Sequence, residues 1–384
     1  MKRRKNFNFP VMTLAGSTLK NIFTQMHSHK IQPKYYPKFV LSLLVSAILG
    51  FFNFIEKKRW DKKAKDFKMR SSPVFIIGFW RSGTSLLHHL MCQDEKAGYT
   101  TTLQTIFPHL VLTQKKWLRK LMKFLMPDYQ TFDQFKQDAD LPQEEEYGMV
   151  NLVNDSLYKF FLFPGDFEKI ISEAISLPEK DKKTIEEWKK IYAHFISKSM
   201  LNTGGTRYVG KNPCNMFRIK LIKEIYPDAR FVFLHRSPYQ VVESLYRFAL
   251  AVFPDVQLQD VPREYSREKI VLLYREILEA YFHHRNFLHP SDLIEIRMDD
   301  FLTDKIGTLK RIYKKFNLHG FEKALPHFEK YLAENPSAGR HFYEVHPETI
   351  KLVNEHAASI VRRLGYRLQH VPVTEVVERI PATV

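Results

Sequence analysis

Phe75-Ile-Ile-Gly78-Phe-Trp-Arg81-Ser82-Gly83-Thr84-Ser85 is the stretch on which the fold turns. The apolar run 74–77 reads as a strand and 84–91 as a helix, and the glycines between them permit a tight turn. At the start of such a helix, backbone N–H groups without intrahelical partners converge on an anion. Gly78 and Gly83 fall in register with the phosphate loop G-x-x-x-x-G-K-[ST], but Thr84 stands where the lysine belongs. A triphosphate calls for that lysine and a Mg²⁺ ligand. This turn offers Arg81, hydroxyls and amides instead, a set suited to a smaller phosphate group. Arg81, Ser82, Gly83, Thr84 and Ser85 are therefore binding candidates.

Further along, 208–210, 231–234 and 293–296 are short apolar runs, each preceded by helical sequence and each ending near polar residues. The recurrence predicts an α/β fold, a P-loop-like parallel sheet flanked by helices and joined by right-handed crossovers. Helical patterns cover 114–126, 143–158, 180–201, 215–225, 239–250, 266–287, 304–316 and 347–364. Residues 103–200 form a large helical insertion between the strand at 74–77 and that at 208–210, where a substrate pocket commonly sits.

The chain has 384 residues and a formal net charge of +17, with only two cysteines, Cys92 and Cys214. That count excludes a disulfide scaffold, offers no zinc spacing and fits a reducing, cytoplasmic compartment, so no metal is expected. Sixteen Lys/Arg against three Asp/Glu lie within residues 1–70, which leaves the remainder nearly neutral. A nucleic-acid binder would carry its basic stripe on the folded body, so nucleic acid is not an expected partner. The excess instead borders the most apolar stretch, which points to an anionic membrane surface.

That stretch, 39–55, reads FVLSLLVSAILGFFNFI, uncharged and at the short edge of what crosses a bilayer. On a helix, Ser42, Ser46, Gly50 and Asn53 make one narrow stripe opposite a broad apolar face. A helix lying on the membrane surface, a helix docked on the body and a span all fit this N-terminal apolar helix. Eight Lys/Arg precede it and eight follow within fifteen residues, so flanking charge sets no orientation. The apolar run starts too late for a signal peptide, and no small-residue cleavage site follows.

The loop at 81–85 resembles the 5′-phosphosulfate loop of the sulfotransferases, [K/R]-S-G-T-[ST] after the first strand. Phe231-Val-Phe-Leu-His-Arg236-Ser237-Pro238-Tyr239-Gln-Val-Val-Glu-Ser244 resembles their 3′-phosphate motif, an arginine just past a strand and a serine eight residues on. Pro238 opens the helix there, and Ser244 sits about two turns along it. The segment 293–304 resembles the family's late strand and its Y-E-D-L-x-x-D-P continuation, with Met298 for the tyrosine and Lys305 for the proline. W-R-S-G-T, P-Q-E-[DE]-E and the carboxyl-terminal H-x-Y segment, here Arg340-His341-Phe342-Tyr343, align the chain with one subgroup. The resemblance covers 71–366, a sulfotransferase domain between a basic region at 1–70 and a tail at 367–384. It implies sulfuryl transfer from 3′-phosphoadenosine 5′-phosphosulfate (PAPS) to an acceptor hydroxyl without a metal. Arg236 and Ser244 would hold the 3′-phosphate, and Arg340 would close over the nucleotide.

Lys211, in Tyr208-Val-Gly-Lys211-Asn212-Pro213, stands where cytosolic sulfotransferases carry K-T-H; by that resemblance it neutralises charge on the bridging oxygen. Pro213 stands near the place of the family's histidine base, so the base must come from elsewhere. Leu141-Pro-Gln-Glu144-Glu145-Glu146-Tyr147 opens a helix whose apolar line runs through Val150, Val153 and Leu157. Counting back by four turns Glu146 inward and Glu145 away, with Glu144 to the side. Glu146 is thus the first candidate base, Glu144 is its neighbour and His109 the rival. A kinase with a degenerate phosphate loop and a non-catalytic membrane-attached nucleotide-binding protein are the competing readings. An aromatic-rich insertion, an apolar helix and a near-neutral body favour a lipid- or sterol-like acceptor over a charged glycan.

Overall fold

The computed structural model describes residues 13–125, 138–260, 267–336, 339 and 343–370. Two helices, α1 (Leu19–His27) and α2 (Tyr36–Lys65), lead into β1 (Val74–Ile77), α3 (Thr84–Met91) and β2 (Ala97–Gly98). The helical insertion follows, with α4 (Thr102–Ile106), α5 (Lys115–Leu125), α6 (Glu145–Met149), α7 (Phe167–Ile175) and α8 (Lys182–Thr203). Then come β3 (Arg207–Lys211), α9 (Ile219–Ile225), β4 (Arg230–His235), α10 (Pro238–Val256), α11 (Arg267–His284) and β5 (Leu293–Arg297). Five helices close the described chain: α12 (Met298–Thr303), α13 (Lys305–Lys315), α14 (Phe321–Glu334), α15 (Pro347–His356) and α16 (Ala358–Arg363).

Among the described residues the strands form one parallel sheet in the order β2-β3-β1-β4-β5. Ile76 pairs with Lys211, Ile77 with Phe233 and His235 with Arg297. Phe75, Ile77, Phe231 and Phe233 face a core shared with α8, α10 and α11. Val74, Ile76, Val232 and Leu234 face a second core with α3, α13 and α14. Burial on both faces explains why these strands read as unbroken apolar runs. Because all these strands run parallel, the carboxyl ends of β1, β3, β4 and β5 lie at one edge, delivering Gly78, Lys211, Arg236 and Met298 together.

Three expectations need correction. β2, only two residues long, carries no strand signal. The helix expected over 143–158 stops at Met149 and resumes only as a 3₁₀ turn at Leu157–Phe161. Asn151 breaks it, because its amide donates to Tyr147 O at 3.1 Å and Thr105 O at 3.2 Å. Side chains near α1 serve the carbonyls of this break: Gln25 donates to Val150 O at 2.6 Å and Ser17 to Asn151 O at 2.7 Å. A helix end buried without such partners would be costly. Finally, α1, α4, α7, α12 and α14 fall outside the expected helical stretches.

α2 runs thirty residues, well beyond 39–55. Ser42, Ser46, Leu49, Glu56 and Ala64 are buried against the body. Leu49 joins a third core with Leu103 and Phe107 beside α4 and Leu118 and Met122 of α5.

Candidate active site

The β1–α3 turn is held in a conformation few side chains tolerate. Gly78 has φ 154° and Gly83 φ 89°, and a Cβ on Gly78 would lie 2.3 Å from Leu234 O of the neighbouring strand. Arg81 adopts φ 68°, a left-handed value uncommon outside glycine that clusters at ligand-holding sites. The turn thereby aims Arg81 across to α10, where its Nε donates to Ser244 Oγ at 2.9 Å. Its guanidinium also lies 5.7 Å from the centre of the Phe248 ring.

One pocket gathers Arg81, Gly83, Thr84 and Ser85 from this turn, Lys211 from β3, Arg236 from the end of β4 and Glu144 from the start of α6. Ser82 and Ser244 are buried and do not line it; Ser244 meets it through Arg81, whose Nε donates to the serine hydroxyl. Burial presses the Arg236 guanidinium below its usual value; Asp299 opposes that shift and the nearby Arg81 charge adds to it. Three cations, two hydroxyls and a helix N-terminus against one carboxylate make a donor set that fits an anion with phosphate at each end. Gly339 also lines the pocket, and Tyr343 N donates to Gln240 Oε1 at 3.1 Å, so the carboxyl-terminal segment approaches its rim. Arg340 lies outside the described residues.

The three consecutive glutamates separate sharply: Glu146 turns inward as the periodicity predicts but is occupied there, while Glu145 does not turn away. Glu146 is fully buried and clamped by Arg218, whose Nη1 donates at 2.6 Å and Nη2 at 3.1 Å. Ser156 at 2.7 Å and Asn212 at 2.9 Å complete its shell. Burial raises the carboxyl pKa, but the Arg218 charge and these hydrogen bonds outweigh it and hold Glu146 below the usual range. Glu146 therefore does not reach the pocket. Glu145 does not point away; it is buried, accepting from Tyr208 at 3.1 Å and Asn215 at 2.9 Å, with burial pushing its pKa up.

Glu144 is the carboxylate in the pocket. It precedes the first turn of α6 with extended backbone, so its side chain projects off the helix start and not along the helix's inner line. One oxygen accepts from Lys211 Nζ and the other from Tyr158 OH. Trp80 Nε1 in turn donates to Tyr158 OH at 2.9 Å. Burial, then the Glu144 charge, raises the Tyr158 pKa well above the usual phenol value, so this ring remains a donor. Lys211 Nζ also stands 3.3 Å from Ser85 Oγ, bridging the carboxylate and the phosphate-type turn.

His109 sits elsewhere. It lines a separate cavity with Ser17, Thr18, Ser46 and Asn53, and burial lowers its pKa to about 3. It is not among the residues of the pocket that holds Glu144 and Lys211.

Tyr158, Tyr147, Phe248 and Leu245, which shape the pocket, escaped the sequence reading because a lone aromatic or leucine in a helical pattern carries no chemical signal. Met298 stands in the sequence only as a departure from the tyrosine of the late-strand motif. It lines the pocket, and its Sδ would lie 2.2 Å from a Cβ on Gly83.

Residues 73–323 match the model of the sulfotransferase family. The chain is 28% identical over 329 residues to omega-hydroxy-beta-dihydromenaquinone-9 sulfotransferase Stf3 of Mycobacterium tuberculosis and of Mycobacterium bovis, covering 86% of this chain and 83% of each relative. The fold is similar to the crystal structures of sulfotransferase STF1 from Mycobacterium tuberculosis H37Rv and sulfotransferase STF9 from Mycobacterium avium. For STF1 the TM-score is 0.65 at 17% identity, over 88% of this chain and 91% of that one. For STF9 it is 0.66 at 15% identity, over 96% and 99%.

Proposed function

The chain belongs to the sulfotransferase family, and from that premise we propose that it transfers a sulfuryl group from PAPS to the hydroxyl of an apolar, lipid-like alcohol at an anionic membrane surface, with Glu144 as general base. Bound in the pocket, the donor supplies an activated sulfuryl group on a phosphate leaving group. Arg81, Thr84, Ser85 and the amides at the start of α3 hold the 5′ end, while Arg236 and Ser244 hold the 3′-phosphate. Glu144 takes the proton of the acceptor hydroxyl at its carboxylate oxygen. Tyr158, fixed by Trp80, orients that carboxylate. Lys211 offsets negative charge growing on the departing oxygen, its Nζ lying between Glu144 and Ser85.

The observation that carries the reading is the Arg81–Ser244 hydrogen bond, because it joins the two phosphate motifs into one site. The lipid-like acceptor rests on the apolar part of the pocket wall, Trp80, Leu245, Phe248 and Met298. A relative whose named substrate is a hydroxylated menaquinone supports the same class. Family membership leaves the kinase reading without support.

Calorimetric titration with adenosine 3′,5′-bisphosphate tests the donor site. Tight binding without Mg²⁺ is expected, with loss in Arg236→Ala at unchanged melting temperature. Binding that instead requires Mg²⁺ and ATP, or that survives Arg236→Ala, contradicts the assignment.

A further inference from the structure

α2 turns two unlike faces in opposite directions. Its body-facing side carries Ser42, Ser46, Leu49, Glu56 and Ala64, all buried. Its outer side exposes Val40, Leu41, Leu44, Ile48, Phe51 and Phe54, the last two 67% exposed. At 100° per residue these six fall within one sector of about 140°, roughly opposite the buried set. Lys58, Arg59, Lys62 and Lys65, all exposed, continue that same sector toward the carboxyl end. The outward stripe is therefore apolar for four turns and cationic for the next two.

A second helix repeats the chemistry beside it. α5 buries Leu118 and Met122 in the core that holds Leu49 and exposes Lys116, Trp117, Lys120 and Lys123. Trp117 stands edge-on to Phe52 with ring centres 6.3 Å apart, extending the α2 surface with an interfacial side chain. Exposed apolar area of this extent on a soluble chain marks an interaction surface, and lysine flanking on both helices selects an anionic one.

We propose that α2 and α5 form a monotopic docking face for an anionic lipid bilayer, with the apolar half of α2 inserted at the headgroup boundary and its basic half on the lipid phosphates. The proposal rests on the lipid-like acceptor of the reading above and deepens it. α2 does not span. It is long and apolar enough to cross a membrane, but Glu56 pairs with Lys198 and accepts from Leu112 N at 3.0 Å and Thr113 N at 3.1 Å, while Ser46 donates to Ala15 O at 2.9 Å. Spanning would strip these polar groups from their partners inside hydrocarbon. The docked geometry leaves them satisfied and offers the bilayer only the face the body does not use.

The body-facing side of α2, at its amino-terminal end, packs beside a helix that reaches the site. Lys38, at the start of α2, donates to Asp255 O at 2.6 Å near the end of α10. α10 carries Leu245 and Phe248 on the pocket wall, ten residues or about 15 Å of helix away. A hydroxylated lipid held at the outer face of α2 would thus have the pocket wall about 15 Å along α10 from the amino-terminal end of α2.

Flotation of the full chain with vesicles of phosphatidylcholine containing about one-third phosphatidylglycerol tests the proposal. The chain is expected to float with these vesicles and to bind phosphatidylcholine alone far more weakly. Ile48→Glu with Phe51→Glu is expected to cut vesicle binding at least about tenfold while melting temperature and adenosine 3′,5′-bisphosphate binding stay unchanged. Lys58→Ala or Lys62→Ala is expected to cost about fivefold each on anionic vesicles only. Three outcomes would overturn docking: a folded chain that does not float, a double variant that floats as well as the parent, or a dimer in solution that the double variant dissociates. Nucleotide binding is read separately. Its loss with flotation intact would strike the sulfotransfer reading alone, and the reverse would strike docking alone.

Discussion

Arg81 Nε lies 2.9 Å from Ser244 Oγ, although 163 residues separate them, and that contact fuses a loop after the first strand with a helix after the fourth. The left-handed backbone of Arg81 is what directs the side chain there. Backbone strain and a charge-assisted hydrogen bond at one position support the proposal that this turn holds a ligand.

Ser244→Ala removes the acceptor for Arg81 and a hydroxyl assigned to the 3′-phosphate. A hydrogen bond to a charged group contributes enough that adenosine 3′,5′-bisphosphate binding should weaken about ten- to a hundredfold. Melting temperature should barely move. Calorimetry alongside a thermal melt checks both, and unchanged affinity would show that the two motifs do not act on one ligand.

Glu144→Gln and Glu146→Gln should fail in opposite ways, although the residues are two apart. Glu144→Gln should lower single-turnover transfer by about 10²- to 10⁴-fold, and because Lys211 loses its carboxylate partner at a pocket open to solvent and not in the closed core, it should cost clearly less stability than Glu146→Gln. Glu146→Gln leaves Arg218 as an uncompensated buried charge and should cost about 3–5 kcal/mol of stability. Denaturant unfolding paired with rapid-quench kinetics separates them; equal stability losses would mean the roles are misassigned.

Stability should fall as pH drops from about 6.5 toward 4. Burial keeps His88 neutral well below the ordinary imidazole range, lowers His89 to about 4 and His109 to about 3. Across that window the unfolded chain binds protons these rings refuse in the fold, so each contributes a slope of at most about 1.4 kcal/mol per pH unit. Glu146 adds to the loss at lower pH, as its depressed carboxyl is protonated. Glu145, shifted upward, acts oppositely and becomes less unfavourable as acid is added. Urea midpoints measured at several pH values test the sign, and a midpoint that rises on acidification would refute it.

Gly78→Ala should lower stability by about 1–2 kcal/mol or more, since φ is positive and the new Cβ meets a strand carbonyl that cannot move. Gly204→Ala makes a control: its φ is also positive, but nothing lies within 4 Å of the added carbon. A melt showing the two equally destabilised would mean that the close approach to Leu234 contributes nothing.

The sheet was legible because strands buried on both faces spell unbroken apolar runs, and the turn at 78–85 because glycines, hydroxyls and an arginine rarely coincide for packing alone. The period turns Glu146 inward correctly, but it cannot say that Arg218 occupies that carboxylate or that Tyr208 and Asn215 draw Glu145 into the core as well. Glu144, the residue just before the helix start, obeys no period, so its place in the pocket could not be ranked first. Arg218 was invisible because nothing in Asn215-Met-Phe-Arg218 announces that it will meet a glutamate 72 residues away. On α2 the stripe of Ser42 and Ser46 was seen, but which side would face the body is decided by Ala15, Glu56 and Lys198, which no local pattern links.

The most direct measurement is mass spectrometry of acceptors after incubation with PAPS, using a panel of polyprenyl, sterol and sugar alcohols. A sulfate-sized mass gain on the apolar alcohols is predicted, absent from sugars and lost in Glu144→Gln. No gain on any acceptor from a chain that still binds adenosine 3′,5′-bisphosphate, or undiminished gain in Glu144→Gln, would contradict it.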